Sequence, residues 1–122
     1  MSYHQDWLMR QIEAISAMLA YMLTGKKTDR SIVEEHAETH SDTNRLYQKL
    51  HILVKQGQIC EAENALFAAM EESDPEVPEA AVLFYDDLNC LSDDTLIAAN
   101  FSREEILDGL KAVCTHYGLP VF

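Results

Sequence analysis

Residues 45–75 read RLYQKLHILVKQGQICEAENALFAAMEESDP, and this stretch decides the fold. Its apolar side chains recur at spacings of three and four residues on both sides of Gly57, which predicts two helices with one apolar face each. Gly57 ends the first helix, and Pro75 closes the second. The small side chains of Ala62 and Ala69 let the two helices approach closely. The stretch therefore predicts an antiparallel helix hairpin.

This hairpin resembles a tetratricopeptide repeat over 31 of the 122 residues. The matching residues are Leu46, Tyr47, Leu50, Leu53, Gly57, Glu61, Ala62, Ala65, Leu66, Ala69 and Pro75. Two positions depart from the repeat: Leu50 stands where a small residue is usual, and Pro75 comes one residue late. The next helix, from Glu79 to Leu91, is a candidate for the first helix of a second, degenerate repeat. Because a solenoid normally needs three or more repeats, the resemblance implies a compact, repeat-like bundle.

The rest of the chain is also rich in helix formers, and no alternating apolar pattern predicts a strand. Ser41 or Asp42 is expected to cap the helix that begins the hairpin, Ser92 a short helix, and Ser102 with Glu105 forms a capping box for the last helix. We predict an all-α, compact bundle of about five helices plus one or two short ones. Residues 1–122 form one domain, divided into a long N-terminal helix (1–24), a polar linker (25–43) with a possible short helix around Ile32–His40, and a repeat-like bundle (44–122).

The N-terminal helix carries an apolar stripe that suits contact with another helix. The stripe is made of Leu8, Ile12, Ile15, Leu19 and Met22, and is widened on one side by Trp7, Ala14, Met18 and Tyr21. Methionine and aromatic side chains are typical of interface cores. We expect this stripe to serve self-association, with the protein a homodimer. The alternative is that the stripe packs on the chain's own bundle.

Residues 6–13, DWLMRQIE, are similar to the start of a family of short, functionally uncharacterised bacterial proteins. This second resemblance extends over the whole chain. It implies an all-helical cytoplasmic protein and no particular activity.

The distribution of charge excludes one class of function and suggests another. The formal net charge is −12, which argues against nucleic-acid binding, since that requires Lys and Arg to neutralise phosphates. Residues 1–60 carry seven acidic and seven basic side chains, whereas residues 61–122 carry 14 and two. The acidic half is either a solubility surface or a face for a basic partner, which could be the Lys26-Lys27-Arg30 cluster of a neighbouring subunit.

Neither a targeting segment nor a membrane span is expected. The N-terminus holds Asp6 and Glu13 where a signal peptide needs positive charge followed by an apolar run. The longest uncharged stretch there has 12 residues, and a membrane-spanning helix needs about 20. Cys60, Cys90 and Cys114 are expected to be small core residues in a reducing cytosol. These features predict a cytoplasmic protein.

Two groups of residues are candidates for chemistry. His36 and His40 would share one face of a helix, at the spacing that zinc peptidases use, but Ala37 stands where those enzymes have a glutamate. Asp86 and Asp87 lie within a predicted helix beside aromatic residues, and the sequence identifies no partner base for them. We therefore predict no catalytic residue, no cofactor and no bound metal.

The leading functional hypothesis is a non-enzymatic helical interaction or scaffold module that binds a protein or a peptide. The alternative is a metal-binding protein or metal-dependent enzyme that uses His36 and His40. A third possibility is a purely structural homo-oligomer.

Overall fold

The computed structural model describes residues 3–24 and 44–119, and this part of the chain contains six α-helices and no β-strand. The helices are α1 (Tyr3–Thr24), α2 (Arg45–Lys55), α3 (Ile59–Glu71), α4 (Val77–Asn89), α5 (Asp93–Ala98) and α6 (Arg103–His116). The prediction of an all-α compact bundle is confirmed. The predicted linker 25–43, with its short helix, lies outside the described residues.

Helix α4 forms the centre of the bundle, because it packs against α1, α2, α3 and α6. Its six consecutive residues from Ala80 to Tyr85 are all buried, and Leu88 follows them into the core. A helix that is apolar around its whole circumference is typical of a protein interior. The hairpin of α2 and α3 therefore packs against α4.

The apolar stripe of α1 belongs to this intramolecular core. Leu8, Ile12, Ile15 and Leu19 are each at most 4% exposed, and α1 packs against α4 and α6. These four side chains are therefore core residues, which corrects the association role predicted for them. The side chain of Met22 is not among those that the structure describes. Of the residues predicted to widen the stripe, Met18 packs against the core, whereas Ala14 is exposed and Trp7 and Tyr21 are 52% and 43% exposed.

The helix ends follow the local sequence. Ser92 accepts a hydrogen bond from the backbone N–H of Thr95, and Ser102 and Glu105 form the predicted capping box. Helix α2 begins later than predicted, because Asn44 is its N-cap and accepts from the Tyr47 N–H at 2.8 Å. Ser41 and Asp42, the predicted caps, lie outside the described residues.

The cysteines divide into two kinds. Cys114 is buried, as predicted, whereas Cys60 and Cys90 are exposed. The prediction of three core cysteines was therefore wrong for two of them. Apolar neighbours in sequence do not bury a side chain that lies on the outer face of a helix or just beyond its end.

Candidate functional site

Two sets of contacts show that α2 and α4 run side by side in the same direction. At their N-terminal ends, the Asn44 amide donates to the Glu76 carbonyl oxygen at 3.1 Å and to the Glu79 carboxylate at 3.0 Å. The Glu76 carboxylate in turn accepts from the backbone N–H groups of Arg45 and Leu46, at the start of α2. A carboxylate at this position satisfies N–H groups that have no partner within the helix.

Further along, side chains of both helices meet at Asp87. The Tyr47 hydroxyl donates to Asp87 Oδ2 at 2.5 Å, and His51 Nδ1 lies 3.8 Å from the same oxygen. The Tyr47 and His51 rings are also in contact, with centroids 5.7 Å apart. We call Tyr47, His51 and Asp87 the α2–α4 junction.

The junction is neither buried nor fully exposed. The side chain of Asp87 is 38% exposed and that of His51 is 45% exposed. His51 Nδ1 is itself buried, without a hydrogen-bond partner among the described residues. A ligand that approached the junction would therefore reach the carboxylate and the outer part of the imidazole.

Partial burial changes the acid–base properties of the junction. Burial raises the pKa of Asp87 above its ordinary value of 3.8, and the hydrogen bond from Tyr47 and the nearby His51 oppose this rise. Burial and the hydrogen bond to Asp87 together raise the pKa of the Tyr47 hydroxyl. The raised pKa of Tyr47 keeps the proton on its hydroxyl, which donates it to the hydrogen bond with Asp87.

This arrangement leaves one carboxylate oxygen outside the two contacts. Tyr47 and His51 both contact Oδ2 of Asp87. Neither of them contacts Oδ1. Ionised carboxylates form strong hydrogen bonds with Lys and Arg side chains. The junction can thus receive a cationic group.

The junction was only partly foreseen in the sequence. The sequence shows Asp86 and Asp87 beside aromatic residues and identifies no partner for them, whereas the structure supplies Tyr47 and His51 from a helix about 40 positions earlier. The available signal was the spacing of Tyr47 and His51, which places them on the same face of α2. What the spacing could not show was which helix that face meets.

The histidine pair of the metal-binding alternative is not among the described residues. His36 and His40 lie between the two described ranges. Within residues 3–24 and 44–119, no group of three or more His, Cys, Asp or Glu side chains is placed to hold a metal ion. No helix in this part of the chain is long and apolar enough to cross a membrane.

A second polar pair lies inside the bundle. The hydroxyl of Tyr85, which is fully buried, donates to Glu63 Oε2 at 2.8 Å. Burial raises the pKa of Glu63, while the hydrogen bond from Tyr85 opposes the rise and the charges of Glu105 and Asp108 add to it. Gly109 of α6 passes so close that a β-carbon there would overlap both side chains. This pair joins α3, α4 and α6 and has a structural role.

Arg103 also has its partners within the fold. It is 4% exposed, pairs with Asp93, and donates to the carbonyl oxygen of Leu91 at 2.7 Å and of Asn89 at 3.4 Å. It lines a cleft of about 280 Å³ between α1, α5 and the start of α6. The guanidinium already binds Asp93 and two carbonyl oxygens at the end of α4. This cleft is therefore a weaker candidate for a binding site than the junction.

The described residues form a small all-α bundle in which the Asp87 carboxylate lies partly exposed between two helices. The chain belongs to a family of unknown function, DUF6483, whose model matches residues 2–118. Neither a curated protein nor a solved structure matches it.

Proposed function

We propose that this protein is a non-enzymatic helical interaction module that holds a basic segment of a partner protein at the α2–α4 junction. The observation that supports the proposal is the orientation and exposure of the Asp87 carboxylate. Its carboxylate is held in place by Tyr47, remains 38% exposed, and keeps Oδ1 outside both contacts. A carboxylate that is already oriented loses little freedom when it binds a cationic side chain.

The charge of the later helices favours the same kind of partner, whereas α2 itself carries Arg45, Lys49 and Lys55 and no carboxylate. Residues 61–122 carry 14 acidic and two basic side chains, Arg103 and Lys111. Arg103 is buried and paired with Asp93, so it does little to offset the negative field at the surface. A field of one sign attracts an oppositely charged partner and speeds its association.

The packing supports a repeat-like scaffold. In a stack of helix hairpins, equivalent helices of successive hairpins run in the same direction. Helices α2 and α4 do so, and α3 connects them. We infer that α2 and α3 form a tetratricopeptide-like hairpin and that α4 begins a second, incomplete one. A cytoplasmic location is part of the same proposal.

The proposal is tested by a pair of matched charge reversals. Asp86 lies next to the junction and Asp94 is an exposed residue of α5, so Asp86→Lys and Asp94→Lys make the same change at different places. Partners are captured from a lysate on the wild-type chain and on both variants, after circular dichroism has shown that all three are folded. We expect a partner with a basic segment to be lost by Asp86→Lys and kept by Asp94→Lys. Equal capture by the two variants would contradict the proposal.

A further inference from the structure

His51 is placed to change its interaction with Asp87 when it gains a proton. Its Nδ1 atom is buried, has no hydrogen-bond partner among the described residues, and lies 3.8 Å from Asp87 Oδ2. This distance is longer than a hydrogen bond, so the two side chains are neighbours that are not yet bonded. A buried polar atom without a partner is costly and uncommon in folded proteins. Nδ1 therefore has an interaction to gain, and the carboxylate beside it can supply that interaction.

We propose that protonation of His51 closes the α2–α4 junction to a basic partner, so that the site binds while the imidazole is neutral and releases when it is charged. This inference rests on the proposed function, because it concerns the regulation of the same site. Histidine is the side chain whose ordinary change of charge falls between about pH 5 and pH 8. The junction therefore responds to changes of pH within the physiological range.

The movement that this switch needs is small. A charged imidazole donates to a carboxylate at about 2.8 Å, roughly 1 Å less than the present separation of Nδ1 and Oδ2. A rotation of the His51 side chain closes this gap without a shift of either helix. Because that side chain is 45% exposed, the outer part of the ring stays in contact with water when it becomes charged. A carboxylate oxygen can accept two hydrogen bonds, so Tyr47 keeps its own bond to Oδ2.

The charged imidazole competes with a basic partner for the same carboxylate. While His51 is neutral, the negative charge of Asp87 is available to a cation that approaches Oδ1. Once His51 is charged, the pair of side chains is neutral as a whole, and the imidazolium repels a guanidinium or an ammonium group. The partner then loses an ion pair and meets a like charge, which weakens its binding.

The charged groups around this pair come from two helices, although α2 packs against both α3 and α4. Asp86 of α4 acts on Asp87 and on the Tyr47 hydroxyl. Helix α2 supplies the exposed Lys55, four residues after His51. Among the described residues, no charged group of α3 shifts the pKa of Asp87 or of Tyr47. Aspartate and lysine side chains ordinarily keep their charges between about pH 6 and pH 8, so a histidine is the residue type that changes there.

The contact between His51 and Asp87 is tested first without any partner. The nearby His51 lowers the pKa of Asp87, against the rise that burial causes. The pKa of Asp87 should therefore be higher in His51→Gln than in the wild type, as followed by NMR titration of the carboxyl carbon. The control is His116→Gln, the same change at an exposed position in the last turn of α6, which should leave the Asp87 pKa as it is. An equal Asp87 pKa in the wild type and His51→Gln would overturn the switch, whatever the junction binds.

The regulation is tested with a short oligo-arginine peptide, whose Kd is measured at about pH 8 and about pH 6 at one ionic strength. Arginine stays charged throughout, so the probe itself does not change. Circular dichroism at both pH values first shows that the wild type and the two variants are folded. We expect the Kd to rise about threefold or more toward the lower pH in the wild type and in His116→Gln. In His51→Gln, the ratio of the two Kd values should stay close to one.

The outcomes separate this inference from the proposed function. A peptide that fails to bind the wild type at the higher pH contradicts the proposed function, and the switch with it. A peptide that binds there, but whose Kd rises equally in the wild type and His51→Gln, leaves the proposed function standing and overturns the switch. The other histidines are unchanged in His51→Gln, so a general effect of net charge would give this second result.

Discussion

The Tyr47 hydroxyl donates to Asp87 Oδ2 at 2.5 Å and so connects two helices that run in the same direction. This bond joins the first turn of α2 to the last turn of α4, and the side chain of Asn44 joins the same end of α2 to the first turn of α4. The same bond orients the carboxylate that we propose as the contact point for a partner.

Tyr47→Phe removes this hydrogen bond while keeping the ring. We expect the free energy of unfolding to fall by about 1 kcal/mol, the usual contribution of one hydrogen bond. The pKa of Asp87 should rise further, because the bond from Tyr47 opposes the effect of burial. Urea unfolding measures the first effect, and NMR titration of the Asp87 carboxyl carbon measures the second. An Asp87 pKa that stays unchanged in Tyr47→Phe would contradict the role given to the bond.

The stability of the protein should depend on pH through Asp87. Because its pKa is raised on folding, Asp87 holds its proton more tightly in the folded chain, and the stability from this group is lost as pH rises from 3.8 through the raised value. Asp87→Asn removes this loss. We expect the variant to gain stability relative to the wild type as pH increases over that window, as followed by urea midpoints. Parallel curves for the two proteins would count against the raised pKa.

Gly109→Ala should destabilise the protein, although alanine normally stabilises a helix by about 1 kcal/mol relative to glycine. The added β-carbon would overlap the Tyr85 hydroxyl and the Glu63 carboxylate, and Tyr85 is enclosed by the core. We expect a loss of about 2 kcal/mol, typical of overpacking.

Tyr85→Phe provides the matching second change, because it removes the hydroxyl that the β-carbon would meet. In a double-mutant cycle, the cost of Gly109→Ala should be smaller in the Tyr85→Phe background than in the wild type. Strictly additive effects would show that the two sites do not touch.

The sequence predicted the helices well, because their boundaries depend on local interactions. Each helix end depends on residues only a few positions apart in the sequence. Examples are the N-cap Ser92, the capping box of Ser102 and Glu105, and the turn at Gly57. The exposure of whole faces was harder to predict. Both sides of α1 carry apolar residues at helical spacing, and only the positions of α4 and α6 decide that Leu8 is core and Trp7 is at the surface. The junction was hidden for the same reason, since Tyr47 and Asp87 are 40 residues apart.

The metal-binding alternative leads to a prediction of its own. We expect a chain purified without a histidine tag to contain no stoichiometric metal, and His36→Ala/His40→Ala to leave the melting temperature nearly unchanged. Elemental analysis and thermal unfolding provide the two measurements. One bound zinc per chain that is lost in the double variant would make the metal hypothesis the leading one.

The most direct test of the α2–α4 junction as a binding site is an NMR titration of the ¹⁵N-labelled chain with a short oligo-arginine peptide. An oligo-glutamate peptide of equal length is the control. We predict saturable shifts from the arginine peptide that are largest at the amides of Tyr47, His51 and Asp87 and small at the exposed acidic residues Glu71, Glu72 and Asp94. Shifts that spread evenly over all acidic surfaces, or that do not saturate, would contradict a specific site at the junction.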